Sequence, residues 1–502
     1  MQFFWRVTAV HSDVKALLIL LIIATASAGN LSCQQQSRSA ARRSSVEKSG
    51  SKNADSVRFT SFSEASSVIK AFPADLPAEL VHTVAANDES EWNKYVRHKD
   101  AEIRKRLHDG DMDTLANLLL FGTSYTSATP LTPELLKTIR AEPVQSARTG
   151  LGSQVLLRRL DDLTAGVAKP GTNERLQYFH DLLAGEHYRF ETPKDLFSVK
   201  QFLGANLIRM LHEDVAYAAA LAEAQRMEDK GFQRRSQVFA QRGISLDTSL
   251  FPNYAIEEAL IRAKQKGLIS GRMTKVGVIG PGLDLINKDE GLDFYPEQTI
   301  QPFLLADSLV RLGLADPQQL RITTFDISGL VNQHISSICS RAKQGSPYTV
   351  QLPIRSDISW TPQAIAYWKH AGTTLGRVAA PLKSSRPAPL NYRAVTFPAS
   401  QVLRLRPVDL DVIYQKQVAP ELEKWDLIIA TNMFVYYGDF EQGMAMSNIA
   451  SMLHDRGLLL TNDALPELPD LELQSLASSE TSYSSRAHDG DRITAYQPRR
   501  VH

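Results

Sequence analysis

The chain has 502 residues, is 43% hydrophobic and 22% charged, and carries a net charge of +1. That length suits two or three domains, and the near-zero charge supplies no global field for nucleic acid. With only two cysteines, Cys33 and Cys339, a disulfide scaffold and a cysteine-rich zinc site are excluded.

Residues 1–28 read as a secretory signal peptide or a short membrane anchor. The apolar run ALLILLIIATASA, Ala16 to Ala28, follows Arg6 and Lys15 and ends in Ala26-Ser27-Ala28, a small-x-small cleavage pattern. It falls short of the roughly 20 apolar residues of a comfortable spanning helix. Arg38, Arg42 and Arg43 follow it and would hold the C-terminal side in the cytoplasm if the segment stayed uncleaved. Two expectations stand side by side: a secreted or periplasmic protein, and a membrane-associated one with a cytoplasmic C-terminal half. Residues 29–56, rich in Ser, Gln, Arg and Lys, read as a disordered linker because they carry too little apolar surface for a core.

Residues 57–268 read as an α-helical domain. Thr132-Pro133 has the form of an N-cap followed by proline at the first helical position, with Leu135, Leu136 and Ile139 on one face. Asp195 to Lys230 keeps helical periodicity through Phe197, Phe202, Leu207, Met210, Leu211 and Val215.

After Thr274 short β-rich runs alternate with helical ones, which argues for βαβ units and a parallel sheet. In KVGVIGPGLD, Lys275 to Asp284, a strand enters a tight turn. Gly280 and Gly282 fill the first two positions of a dinucleotide fingerprint, but Leu285 occupies the third. Asp284 would set a negative charge against a phosphate, whereas it suits S-adenosylmethionine (SAM), which carries a sulfonium and an ammonium. The turn therefore leans towards SAM as cofactor. Asp326 ends the next strand, where an acid accepts hydrogen bonds from ribose hydroxyls. Asp409 and Asp411 follow LRLRPV, and a polar side chain there reaches an adenine amino group; the other reading is a surface turn. WDLIIATN puts Asn432 just past a strand's C-terminal end, where parallel sheets place ligands, with Tyr436 and Tyr437 after it. Tyr348 to Pro398 is less regular, either a substrate lid or an insertion. SYSSRAHDG and DRITAYQP read as two strands around a DG turn.

The order of motifs from Val276 to Pro498 resembles class I, Rossmann-like SAM-dependent methyltransferases, whose sheet ends in an antiparallel hairpin. ATNMFVYYGDFEQ also resembles the chemotaxis-receptor glutamate methyltransferases, with Asn432, Tyr436 and Tyr437 on their Asn, Tyr and aromatic positions. FDIS and SRAKQGSPY resemble that family's second-strand acid and its downstream pattern. The resemblance implies a Rossmann-like methyltransferase domain at residues 269–502. It also implies a cofactor set of Gly280, Pro281, Gly282, Asp284, Asp326, Ile327, Asp409 and Asn432, with Tyr436 and Tyr437 on the substrate side. Three departures accompany it. Val278 replaces the usual first-strand acid, Asp284 holds the third glycine position, and Asp455-Arg456-Gly457 replaces Pro-Gly-Gly before the fifth strand.

The leading expectation is a methyltransferase with an unknown acceptor and no metal. A non-catalytic SAM-binding or interaction protein and an NAD(P)-dependent oxidoreductase are the alternatives. Plainer roles are expected for His334, a satisfied histidine, and Cys339, a core residue. Packing is likewise expected for Trp360, Tyr367 and Trp368. Asp293, Tyr295 and Glu297 follow the glycine turn and could approach the cofactor.

Overall fold

The computed structural model describes residues 56–131, 135, 151–225, 243–248, 250–269, 271–285, 293–355, 359–383, 390–463, 465–467, 471–486 and 489–499. The signal or anchor segment, the linker up to residue 55, and Thr132-Pro133 lie outside the described residues.

The strands, in chain order, are β1 (Ser56–Phe59), β2 (Lys275–Ile279), β3 (Arg321–Asp326), β4 (Tyr348–Arg355), β5 (Arg377–Ala379) and β6 (Leu390–Phe397), followed by β7 (Leu405–Asp409), β8 (Gln415–Val418), β9 (Trp425–Ala430), β10 (Leu453–Thr461), β11 (Leu473–Ser482) and β12 (Gly490–Pro498). A 7-stranded sheet runs in the order β11-β12-β10-β9-β2-β3-β7. Neighbours from β10 to β7 are parallel, while β12 lies antiparallel to both β10 and β11. This is a mixed, mostly parallel α/β sheet closed by an antiparallel hairpin, the arrangement expected from the order of the sequence motifs. β2 and β9 sit at its centre, and their Val276, Val278, Leu427, Ile428 and Ile429 are buried. β-branched and aliphatic side chains on both faces suit a strand covered on both sides.

The first arm of the hairpin differs from expectation. Within SYSSRAHDG, Ser482 closes β11 and Gly490 opens β12, and none of the described residues between them lies in a strand; β11 is the earlier run LQSLASSETS. Exposed and covered positions intermix along this edge strand, so its polar composition disguised it.

The helices used below are α1 (Phe62–Ala71), α2 (Glu89–Phe121), α3 (Leu151–Ala168), α4 (Glu174–Gly185), α5 (Pro193–Gln225) and α6 (Phe251–Gln265), then α7 (Gln301–Arg311), α8 (Gly329–Lys343), α9 (Pro362–His370) and α10 (Asp439–Met452). Several start where side chains cap them. Ser61 and Glu64 form a capping box on α1, the Asp88 carboxylate accepts from the Ser90 and Glu91 amides on α2, and Ser328 caps α8. A core of Leu115, Leu119, Leu160, Leu163, Phe179, Leu183 and Leu203 joins the C-terminal part of α2 to α3, α4 and α5. The rest of the N-terminal half shares the core of the sheet. Trp92 on α2 and Val68 on α1 belong to it, β1 pairs antiparallel with β8, and α6 lies against β11 and β12.

Between α8 and β7 the irregular stretch forms a 3-stranded antiparallel sheet, β4-β6-β5, with α9 beside it. Thr361 caps α9 and Pro362 opens it.

Candidate functional site

The C-terminal ends of β2, β3, β7 and β9 lie side by side, which is where an open parallel sheet presents a ligand crevice. Four sequence-derived candidates meet on this open face: Gly280, Ile327, Asp409 and Asn432 are exposed or half-buried there. Gly280 has φ +63°, and a Cβ on it would meet only Met433 Cγ, at 4.0 Å. The space beside its backbone is open to a ligand. Asn432 also adopts a left-handed backbone, φ 58°, which Asn tolerates better than other non-glycine residues. A reciprocal amide pair holds it: Asn432 N donates to Asn462 Oδ1 at 2.8 Å, and Asn462 Nδ2 donates to Asn432 Oδ1 at 2.8 Å.

Asp326 sits just beneath this face at 8% exposure. Its Oδ1 accepts from the Ser328 amide at 2.8 Å. Burial pushes the carboxyl up to about 7 against the pull of the Ser328, Gly282 and Ile327 amides. Those amides hold the acid at the mouth of the glycine turn, one residue from Ile327.

Gly282, Pro281 and Asp284 lie deeper. Gly282 has φ +64°, and a Cβ on it would stand 2.6 Å from the Leu246 carbonyl oxygen and 3.1 Å from Thr248 Cβ. The close approach at this glycine is made by the protein itself. Residues 243–248 run alongside the turn, with Leu283 N donating to Leu246 O at 2.9 Å and Thr248 N donating to Leu283 O at 2.9 Å. The same segment is tied to α2 through Ile244 N and Arg106 O, 2.9 Å apart. The Asp284 carboxylate turns inward, accepting from Tyr295 Oη at 3.0 Å and Gln298 Nε2 at 2.8 Å. Pro281 is buried with them.

Helix α2 stands over the strand ends, a feature with no motif to announce it. Arg104 Nη2 donates to Asp409 Oδ1 at 2.8 Å, and its Nη1 donates to Ile327 O at 3.3 Å. Arg106 Nη2 donates to Tyr436 O at 2.8 Å, and its guanidinium lies 5.7 Å from the Tyr437 ring centroid. Tyr436 is half-buried, and Tyr437, at 3% exposure, packs below the face. Asp411 also lies below it, at 1% exposure, with Oδ1 accepting from Ile413 N at 3.0 Å. Burial, reinforced by Asp100, pushes Asp411 up to about 8.

The other singled-out residues have packing roles. His334 Nε2 lies 3.0 Å from Tyr348 Oη, and burial lowers its ring to about 4. Trp360 stacks on Phe251, Trp368 donates to Leu352 O, and Tyr367 is buried beside Tyr254. Cys339 is half-buried, with Sγ near the Val402 and Leu405 carbonyls. Asp293 accepts from the amides and hydroxyls of Thr123 and Ser124, anchoring the chain after α2.

SAM is the cofactor that the sequence resemblance implies, and the residues at the strand ends bear on its fit. Gly280 leaves room for close approach, and Asp326 and Asn432 flank it at the ends of the adjacent strands. These positions fit the ammonium, carboxylate and ribose of such a cofactor. Gly282 and Asp284 are committed to the protein's own packing.

No family model matches the chain, and no curated protein matches it. Among solved structures it is similar to a TehB-like SAM-dependent methyltransferase from Corynebacterium glutamicum, with 10% identity, 56% of this chain and 99% of that chain covered, and a TM-score of 0.24. MtNAS in complex with MTA and tNA has 10% identity, 70% and 89% coverage, and a TM-score of 0.24. The CurJ carbon methyltransferase has 13% identity, 87% and 99% coverage, and a TM-score of 0.23. Superpositions this loose leave the fold assignment to the sheet order and strand directions themselves.

Proposed function

We propose that the protein is a SAM-dependent methyltransferase. The observation that carries this reading is the open left-handed turn at Gly280, set at the end of β2 with Asp326 ending the adjacent parallel strand β3. Gly280 gives the methionine moiety bare backbone, Asp326 accepts from the ribose hydroxyls, and Asp409 reaches the adenine end. Bound there, the cofactor supplies an electrophilic methyl group. The protein's part is to hold the acceptor in line and keep water out, so catalysis comes mainly from proximity and alignment. Asn432 and Tyr436, on the positions shared with the receptor glutamate methyltransferases, border the acceptor side.

Calorimetric titration with SAM and with NADH, followed by transfer from methyl-labelled SAM, tests this reading. Saturable SAM binding without NADH binding is expected. Binding of NADH alone would transfer the site to the oxidoreductases. Binding of SAM with no transfer to any acceptor would favour a non-catalytic SAM-binding protein. One contact speaks for that second reading: Arg104 already engages Asp409. Mass spectrometry of the native N-terminus distinguishes export, with a mature chain beginning near Gly29, from an intact anchored chain.

A further inference from the structure

Asn432 brings to the crevice a side-chain amide whose polarity its neighbours settle. It follows β9, Asn462 follows β10, and Asp491 is the second residue of β12. β12 runs antiparallel to β10, so its start shares an edge with the C-terminal ends of β9 and β10. The three side chains form one hydrogen-bonded row along that edge. Asn462 Nδ2 donates to Asn432 Oδ1 at 2.8 Å and to Asp491 Oδ1 at 3.2 Å. Tyr483 Oη donates to Asp491 Oδ2 at 2.5 Å.

The oxygen and nitrogen of an Asn amide are told apart by their partners. Two fixed groups do so here. The Asn432 main-chain N–H only donates, so the Asn462 atom 2.8 Å from it is the oxygen. The Asp491 carboxylate only accepts, so the Asn462 atom facing it is the nitrogen. Both constraints give Asn462 the same orientation. Its nitrogen also faces the Asn432 side chain, so the Asn432 atom that it meets is Oδ1. Nδ2 of Asn432 is left with two N–H groups and no acceptor among the described residues, on a residue that is exposed at the strand ends.

That donor is held in place beside the cofactor turn. Asp463 Oδ2 accepts from Met433 N at 3.2 Å and from Phe434 N at 2.9 Å, so the backbone after Asn432 is pinned as firmly as Asn432 itself. Met433 Cγ is the atom that a Cβ on Gly280 would meet, at 4.0 Å. A group that carries only N–H donors, such as an ammonium, would lie donor to donor against Asn432 Nδ2. A carbonyl or carboxylate oxygen would accept from it.

We propose that Asn462 and Asp491 are positioning residues that hold the Asn432 amide with Nδ2 towards the crevice. They thereby select a methyl acceptor that presents a carbonyl or carboxylate oxygen at this point and disfavour one that presents an ammonium. The acceptor assignment rests on the methyltransferase reading; the polarity of the row does not.

The test reverses the row without changing its charge. In the Asn462→Asp/Asp491→Asn double variant, the carboxylate introduced at 462 still accepts from Asn432 N. The amide introduced at 491 donates to that carboxylate and accepts from Tyr483. Asn432 then turns Nδ2 towards position 462 and Oδ1 towards the crevice. Saturation-transfer NMR titrations of the full chain use N,N-dimethylacetamide and propanoate as oxygen probes and n-propylammonium as the donor probe. The wild type is expected to bind the oxygen probes more tightly. The ratio of dimethylacetamide to propylammonium affinity should shift about five-fold or more towards the ammonium in the double variant, since one hydrogen bond is lost and another gained. If the double variant folds poorly, Asn432→Asp carries the comparison, because it also puts an acceptor in place of Nδ2. No saturable binding of an oxygen probe by the wild type, or an unshifted ratio in a folded variant, overturns the proposal. SAM is titrated into the same samples, and its affinity should change by no more than about two-fold. Loss of SAM affinity with an unshifted ratio would place Asn432 on the cofactor instead of the acceptor. A shifted ratio in a protein that does not bind SAM would sink the methyltransferase reading and spare the polarity of the row.

Discussion

Arg104 reaches Asp409 across 305 residues of sequence, with Nη2 and Oδ1 2.8 Å apart at the C-terminal edge of the sheet. The contact places a cation of the N-terminal half on the carboxylate proposed for the adenine end of the cofactor. Its partners are partly solvated, with side-chain exposures of 32% and 60%. A pair of that kind contributes about 0.2–1 kcal/mol. Arg104→Ala should therefore tighten SAM binding by no more than about five-fold. Calorimetry on the two proteins decides it. Weaker binding would mean that Arg104 belongs to the cofactor site instead of competing for it.

Asp326 is the second test. Asp326→Asn keeps an acceptor oxygen for the Ser328 amide and removes the charge offered to a ribose. Hydrogen bonds to charged groups contribute about 1.5–3 kcal/mol, so SAM affinity should fall about ten-fold or more with the fold intact. Normal affinity in Asp326→Asn, together with lost affinity in Asp409→Ala, would reassign the ribose acceptor to β7.

The two glycines of the turn should behave differently. Gly280→Ala introduces strain of about 1–2 kcal/mol at a left-handed position but meets no neighbour closer than Met433, so the protein should fold and bind SAM poorly. At Gly282 the added Cβ would meet the Leu246 carbonyl at 2.6 Å, so Gly282→Ala should lower Tm further than Gly280→Ala does. Thermal unfolding and SAM titration of both variants separate the effects. Equal loss of Tm would mean that residues 243–248 yield easily at the turn.

Much of the sheet was readable in the sequence because local chemistry wrote it. VGVIG, LRITTFD and WDLIIATN are compact apolar runs ending in Gly, Asp or Asn, and they became β2, β3 and β9 with those residues at one edge. What escaped depended on pairings between distant segments. β1 is four residues of ordinary composition and exists by pairing with β8. The Leu246 carbonyl against Gly282, and Arg104 and Arg106 over the strand ends, follow from how α2 crosses the sheet, and no local pattern encodes that crossing. Asp284 looked like a cofactor residue because it follows two glycines, yet Tyr295 and Gln298 claim its carboxylate.

The last prediction concerns pH. Asp411 is buried, its Oδ2 lacks a partner, and its folded pKa stands near 8, above the usual carboxylate value of 3.8, chiefly through loss of hydration. For a carboxyl raised by folding, the folded state holds the proton more tightly than the unfolded state. Its contribution to stability is greatest below the unfolded pKa and is lost as pH climbs from about 4 to about 8. Asp411→Asn removes the titration and keeps an acceptor for the Ile413 amide. The difference in Tm between variant and wild type should therefore move in the variant's favour as pH rises through that window and level off beyond it. A difference that stays constant across the window would show that Asp411 keeps its charge in the fold, with a cation reaching it.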